Sequence, residues 1–232
     1  MKYRWIMLMF IMSIFFIQFV DRVIISLATE PIMEEYGFSA TQWGFILSAF
    51  FWGLVPFTII AGIAADKWGS KKVFIWGGAW WSIFTMATAG AFNYVSFLIA
   101  RILFGVGESP SLSNGVRIVT NWFSPREYST ALGVAFAGVY LAPALGTPVI
   151  VWMIDSFGWR SPFYLMGVIG VIWVFCWRKW FTDRPEDNPY MKDEEKQWIL
   201  SEQEELIETE SSKERKSLKE LLTIPRKVRG LF

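Results

Sequence analysis

Long blocks of apolar residues, separated by short polar connectors, fill the chain as far as Trp180. The blocks lie near Trp5–Leu27, Thr41–Ala65, Val73–Phe92, Val95–Thr120, Tyr128–Ile154 and Ser161–Trp180. Each is close to the roughly 20 residues that a helix needs to cross a hydrocarbon core. Apolar and polar residues do not alternate within them as they would in barrel strands. Lipid offers no partner to open backbone groups, so helices are predicted. Asp66–Lys72, Trp122–Glu127 and Asp155–Arg160 are the short connectors. The expected fold is an all-α membrane protein, with a bundle of six transmembrane helices over residues 1–182 and a charged tail over 183–232.

Composition agrees with that reading. Of the 232 residues, 53% are hydrophobic and only 19% charged, against about 25% charged in a typical soluble domain. The net charge of +1 says nothing about partners, and no nucleic-acid partner is expected, but the distribution of charge is informative. Lys2 and Arg4 precede the first span, Lys67, Lys71 and Lys72 follow the second, Arg126 follows the fourth, and Arg178 and Lys179 close the sixth. The loop after the first span carries Glu30, Glu34 and Glu35 and no base. Basic loops stay on the cytoplasmic side, so both the N-terminus and the tail are expected there, in a multi-pass protein of the cell (inner) membrane. Ser26 and Ala28 resemble a leader cleavage site, but Asp21 and Arg22 sit just before it and further spans follow. The first span is therefore read as retained.

The sequence has one cysteine, Cys176, and no histidine. An intramolecular disulfide is ruled out, as are imidazole proton relays, His-based metal sites and Ser–His catalysis. Gly105–Ser111 (GVGESPS) superficially resembles a nucleophile turn, but it has no base. Its two glycines follow no strand and make no dinucleotide fingerprint. No enzyme, metal or cofactor is expected.

Ionisable residues away from span ends are confined to the first and fourth spans: Asp21, Arg22, Arg101 and Glu108. A charge at mid-membrane costs about 2.5–3.5 kcal/mol or more, so such residues face a cavity or a partner. At about 1.5 Å rise per residue, Asp21 lies roughly 24 Å along its helix and Arg101 roughly 12 Å from the far end of its own. Glu108 follows Arg101 at i+7 on one face, Gln18 shares a face with Arg22, and adjacent Asp21 and Arg22 point about 100° apart. One reading has Asp21 and Arg22 snorkelling outward, with Arg101 and Glu108 as a structural pair. Another has both helices facing one polar cleft, which explains why the charges occupy only two spans.

The loop Gly62–Lys72 (GIAADKWGSKK) fits G-x-x-x-D-[RK]-x-G-x-[RK]-[RK]. Gly62 and Gly69 suit close packing and a tight turn, Asp66 can cap or attract a helix N-terminus, and Lys67, Lys71 and Lys72 hold the loop inside. The loop resembles the signature of the major facilitator superfamily. Arg101–Ser109 (RILFGVGES) resembles that family's fourth-span motif, and Gly138–Thr147 (GVYLAPALGT) its fifth-span motif, with Ala142 and Thr147 where glycines are usual. Gly138, Ala142 and Gly146 also form a small-residue stripe suited to close helix packing. The stretch Val20–Gly53 and the exit FGWRSPFYLMGVIGVIWVFCWRKWFTDRPEDNP resemble the anion:cation symporter branch, which includes hexuronate, glucarate and galactonate transporters. Ser109 stands where that branch often has Ala or Gly.

The resemblance implies the N-terminal half of a major facilitator fold, two inverted three-helix repeats. It implies that Arg22 and Arg101 bind an organic anion of the sugar-acid class, and that Asp21 and Glu108 take part in proton coupling; Gln18 and Trp52 are candidate contributors to binding the sugar-like body. The partners expected are the bilayer, the anion, and a missing six-helix half or a second copy. The competing reading is an inert fragment or interaction module. Within the tail, Asp193 is expected to cap a helix with Trp198, Ile199 and Leu206 on its apolar side, and Leu218, Leu221 and Leu222 suggest a second turn ended by Pro225. Arg226, Lys227 and Arg229 before GLF resemble the flank of a seventh span cut at its start.

Overall fold

The computed structural model describes residues 2–205. The predicted second turn at Leu218–Leu222, the basic cluster at Arg226–Arg229 and Leu206 lie outside the described residues. The elements in chain order are α1 (Tyr3–Leu27), α2 (Thr29–Tyr36), α3 (Ala40–Trp68), α4 (Ser70–Ala89), α5 (Tyr94–Glu108), α6 (Ser111–Trp122), a 3₁₀ turn at Pro125–Glu127, α7 (Tyr128–Phe157) and α8 (Arg160–Trp180). A further helix, α9, covers 193–205.

Five segments are long and apolar enough to cross a membrane, α5 and α6 counting together as Tyr94–Trp122. The third predicted span, α4, is a 20-residue helix outside that set. It opens on Lys71 and Lys72 and carries Trp76, Trp80, Trp81 and several hydroxyl residues. Its long contacts with α5 and α8 nevertheless make it an integral stave of the bundle.

The packing is that of an inverted repeat. Let the six staves be α1, α3, α4, α5–α6, α7 and α8. The first packs along the fifth, the fourth along the second, and the third along the sixth. Exchanging the first three with the last three reproduces that pattern. Both equivalent crossings bring backbones together at glycine. A Cβ on Gly138 of α7 would strike the Met12 carbonyl of α1, and one on Gly105 of α5 would strike the Phe50 carbonyl of α3. The predicted stripe on α7 thus packs as expected: Ala142 is fully buried, and Gly146 faces Val20.

Two boundaries differ from the sequence reading. The loop after α1 contains α2, whose Glu35 accepts from the Trp159 indole at 2.8 Å and pairs with Arg160. These hydrogen bonds, Arg160's first, hold the Glu35 carboxyl down from 4.5 to about 2. The fourth span is also broken, at Ser109–Pro110. Proline has no N–H for the Val106 carbonyl four residues back. Ser109 takes over that acceptor, with its hydroxyl at 2.8 Å and its amide at 3.3 Å.

The signature loop is held from a distance. Gly69 has φ +87°, a left-handed value that favours glycine, and precedes α4 as its cap. The carboxylate over the first turn of α4 belongs to Asp183, which accepts from the Lys71 amide at 2.7 Å. Asp66, expected to serve a helix end, instead pairs with Arg117 of α6. Gly62 has open space where a Cβ would sit, so the packing reason expected for it does not hold within this chain. Lys67 and Lys72 are exposed, and Lys71 is half-buried.

The tail folds back under the bundle. Asn188, fully buried, donates to the Trp180 carbonyl at 3.1 Å and turns the chain. In α9 the cap position is Lys192, whose carbonyl accepts from the amides of Glu195 and Lys196, so Asp193 is a helical residue rather than the cap. The apolar side forms as expected, with Ile199 buried and Trp198 packed on the core.

Candidate functional site

All four interior charges converge where α1 meets α5, but they divide into two settings. Arg22 donates from Nε and Nη2 to one oxygen of Glu108, at 3.2 and 2.7 Å. The Arg22 side chain is 33% exposed, whereas the Glu108 side chain is fully covered. Both line a cavity of about 370 Å³ with Gln18, Thr58, Ser109, Ser111, Phe19 and Tyr140. Gln18 donates its amide to the Ser111 hydroxyl, tying α1 to α6 just beyond the break. Glu108 is the last residue of α5, so the break at Ser109–Pro110 sits directly beside the carboxylate.

Asp21 points the other way, as the angle between neighbouring residues requires. Its Oδ2 accepts from the Trp81 indole at 2.7 Å and from the Thr85 hydroxyl at 3.4 Å, both on α4. Trp81 reaches it because α4 and α5 touch closely: a Cβ on Gly107 would lie 2.6 Å from the Trp81 amide nitrogen. Trp81, Thr85, Ser111 and Arg117 were not singled out in the sequence. An indole in an apolar helix gives no sign that its one donor serves a carboxylate sixty residues away.

Arg101 is buried and does not line the cavity. Its guanidinium lies over the Phe104 ring at 4.5 Å and the Phe50 ring at 5.3 Å. Arg22 also lies over Phe50, at 4.9 Å, so one ring contacts both cations. Arg22 and Arg101 are therefore neighbours across Phe50, not a paired fork opening on one cavity. Trp52 also stands away from the cavity, half exposed on α3 beside Phe45.

Of the eight buried side-chain polar atoms without a hydrogen-bond partner among the described residues, three belong to these interior charges: Asp21 Oδ1, Glu108 Oε1 and Arg101 Nε. Each carboxylate thus has one oxygen bound and one free. Unpaired buried polar atoms are costly, and in functional sites they mark where a proton or ligand is accommodated. The described residues gather no group of three or more His, Cys, Asp or Glu that could hold a metal ion.

The family model described as Major Facilitator Superfamily matches residues 10–231. The chain is 35% identical over 199 residues to the chloroplastic ascorbate transporter of Arabidopsis thaliana, covering 85% of this chain and 37% of that protein. It is 36% identical over 171 residues to the hexuronate transporter of Bacillus subtilis, covering 74% of this chain and 40% of that protein. The chain thus spans about two fifths of the length of these curated relatives. The inward-facing, unoccupied crystal structure of a bacterial homologue of the human lysosomal transporter Spinster superposes with a TM-score of 0.71 at 20% identity, over 82% of this chain and 46% of that one. That likeness concerns the fold.

Proposed function

The chain belongs to the Major Facilitator Superfamily, and from that premise we propose that it carries the site-bearing half of a proton-coupled symporter of organic anions. The substrates would be sugar acids: hexuronates first, with aldarates and aldonates in the same class. One observation carries this reading. The part-exposed Arg22 on the cavity wall is neutralised by Glu108, a buried carboxylate whose second oxygen has no hydrogen-bond partner among the described residues.

The chemistry follows from competition. An incoming carboxylate suits the planar fork of Arg22 and displaces Glu108 from it. A buried carboxylate that loses its cation is left as an uncompensated charge, which taking up a proton removes. Anion arrival and proton uptake are thereby linked at one ion pair. Gln18, Thr58, Ser109 and Ser111 offer donors and acceptors to the hydroxyls of a sugar acid. Arg101 supplies a second, fixed positive charge behind Phe50, and Asp21 a second carboxylate held by α4. Both relatives named above are transporters of anions derived from six-carbon sugars, which supports the substrate class.

The partner proposed is a second six-helix half, or a second copy of this chain. Major facilitator sites lie between two halves. Exposed apolar side chains line α3 (Phe51, Val55, Ile59) and α7 (Tyr140, Val149, Trp152). The orientation proposed is the one the lysines and arginines favour, with Lys2, Lys72 and Lys179 on the cytoplasmic side of the inner membrane. The test is uptake of labelled hexuronate, aldarate and aldonate into proteoliposomes under an inward proton gradient. The chain is reconstituted alone and with a matching second half. Uptake by the pair that collapses with a protonophore is expected. Gradient-independent uptake by the pair refutes the coupling, and no uptake of any of the three acids refutes the substrate class.

A further inference from the structure

Among the described residues, α1 and the α5–α6 span carry all the charges in span interiors, and neither completes its own end on the N-terminal side of the bundle. At a helix start the first amide N–H groups lack partners and carry a partial positive charge; at a helix finish the last carbonyls carry the negative counterpart. α1 begins with no side-chain cap and no acidic residue in its first turn. α6 ends with no basic residue in its last turn.

The Tyr128 hydroxyl of α7 donates to the Thr120 carbonyl at 3.0 Å, and the remaining groups come from α9. Glu195 accepts from the Tyr3 amide at 2.8 Å and from the Arg4 amide at 3.3 Å. Its carboxylate also pairs with Arg4 Nη1, and the other end of that guanidinium reaches Glu127 at 2.8 Å. Arg4 is almost fully buried and lies over Trp198 of α9 at 4.4 Å. At the other end of α9, the Gln203 amide nitrogen lies within hydrogen-bond distance of the carbonyls of Thr120 at 3.2 Å, Asn121 at 3.3 Å and Phe123 at 3.2 Å, among which its two N–H groups are shared. Arg126 adds an ion pair to Glu202 at 3.2 Å. An anion thus sits on the positive end of α1, and a donor on the negative end of α6.

We propose that α9 is a brace that couples the ends of the two charge-bearing spans, in addition to the direct ring contacts Tyr3–Trp122 and Trp5–Phe123, so that their separation on this side requires Glu195 or Gln203 to let go. Glu195 and Gln203 stand eight residues apart on one helix, which sets their spacing at about 12 Å. A helix does not stretch, so any wider separation of α1 and α6 breaks one cap or the other. The buried Arg4–Trp198 stack and Ile199 keep α9 seated while both caps are made. The proposal does not rest on the transport reading, because it concerns the resting geometry of this chain.

The test is amide hydrogen exchange on the full chain in lipid nanodiscs, comparing wild type with Glu195→Ala and Gln203→Ala. Loss of a cap alone speeds exchange at its own helix end, by roughly threefold to tenfold. A brace transmits the loss. Glu195→Ala is expected to speed exchange at residues 118–123 of α6, where Glu195 touches nothing, as well as at residues 3–8. Gln203→Ala is expected to do the reverse. Residues 163–174 of α8 serve as control and should not change. Acceleration confined to each variant's own helix end overturns the proposal, as does wild-type exchange in 193–205 as fast as in an unfolded peptide. If the alanine variants fail to fold, Glu195→Gln decides. It keeps an acceptor for the Tyr3 amide but loses the charge, and a rise at 3–8 with none at 118–123 rejects the brace.

Discussion

Arg22 and Glu108 are joined by two donors on a single carboxylate oxygen, at 3.2 and 2.7 Å, leaving the other oxygen of Glu108 bare and buried. The arrangement is lopsided, because a bidentate fork would occupy both oxygens. It satisfies the cation while keeping one acceptor on the anion open.

Glu108→Gln removes the group that would exchange a proton but keeps an acceptor for Arg22. In an assembled transporter this variant is expected to lose gradient-driven accumulation and retain anion exchange across the membrane. Counterflow and pH-jump uptake on the same vesicles separate the two. Accumulation that still follows the proton gradient rules out the role given to Glu108.

Arg22→Lys keeps the charge and loses the planar fork. A hydrogen bond to a charged group is worth about 1.5–3 kcal/mol, so anion affinity should fall by roughly tenfold to a hundredfold. Equilibrium binding of labelled hexuronate, with and without the substitution, measures this. An unchanged affinity means that the anion does not use the fork.

Arg101 is expected to behave differently, because it is walled in by Phe104 and Phe50 rather than open to the cavity. Arg101→Ala leaves Asp21 and Glu108 with less compensating charge in a buried setting, and removing one member of such a group costs about 3–5 kcal/mol. Thermal unfolding in detergent should show a fall in Tm larger than that of Trp52→Ala, which removes a half-exposed ring on α3. A smaller fall than for Trp52→Ala indicates that Arg101 is not needed to balance the site.

Gly138→Val places two methyl groups where α7 meets the Met12 carbonyl. Overpacking of this kind costs about 1–3 kcal/mol. The variant should unfold at lower temperature, whereas Gly133→Ala, in open space on the same helix, should leave Tm unchanged. Equal effects at the two sites contradict the close crossing.

The Glu35–Arg160 pair makes a pH-dependent contribution of known sign. The Glu35 carboxyl is held below its ordinary value, so its stabilisation is full above pH 4.5 and is lost as pH falls toward about 2. Both side chains are well exposed, at 40% and 39%, so the contribution is about 0.2–1 kcal/mol. Tm measured against pH for wild type and Glu35→Gln should differ above pH 4.5 and converge near pH 2. A constant gap across that window argues against the pair.

The sequence alone determined the class of the protein and picked out the four charges in its span interiors. Span lengths follow from the thickness of a bilayer, which is the same for every helix, so uncharged runs locate the staves within a few residues. The confinement of Asp21, Arg22, Arg101 and Glu108 to two spans is visible by inspection, and the angle between adjacent residues already separates Asp21 from Arg22. Partnership was decided only in three dimensions. Asp21 meets Trp81, Asp183 meets the turn at Gly69, and Glu195 meets the start of α1, across separations of 60 to 192 residues. The same applies to Arg101, which the family resemblance offered for an anion site, and to Trp52, a candidate contributor to it: the packing placed both off the cavity wall. A helix's own residues set how long it is and which side is polar. Which polar group it meets depends on where neighbouring backbones cross, and here that is governed by glycines such as Gly107 and Gly138, whose missing side chains let distant helices come close enough for one donor to find one carboxylate.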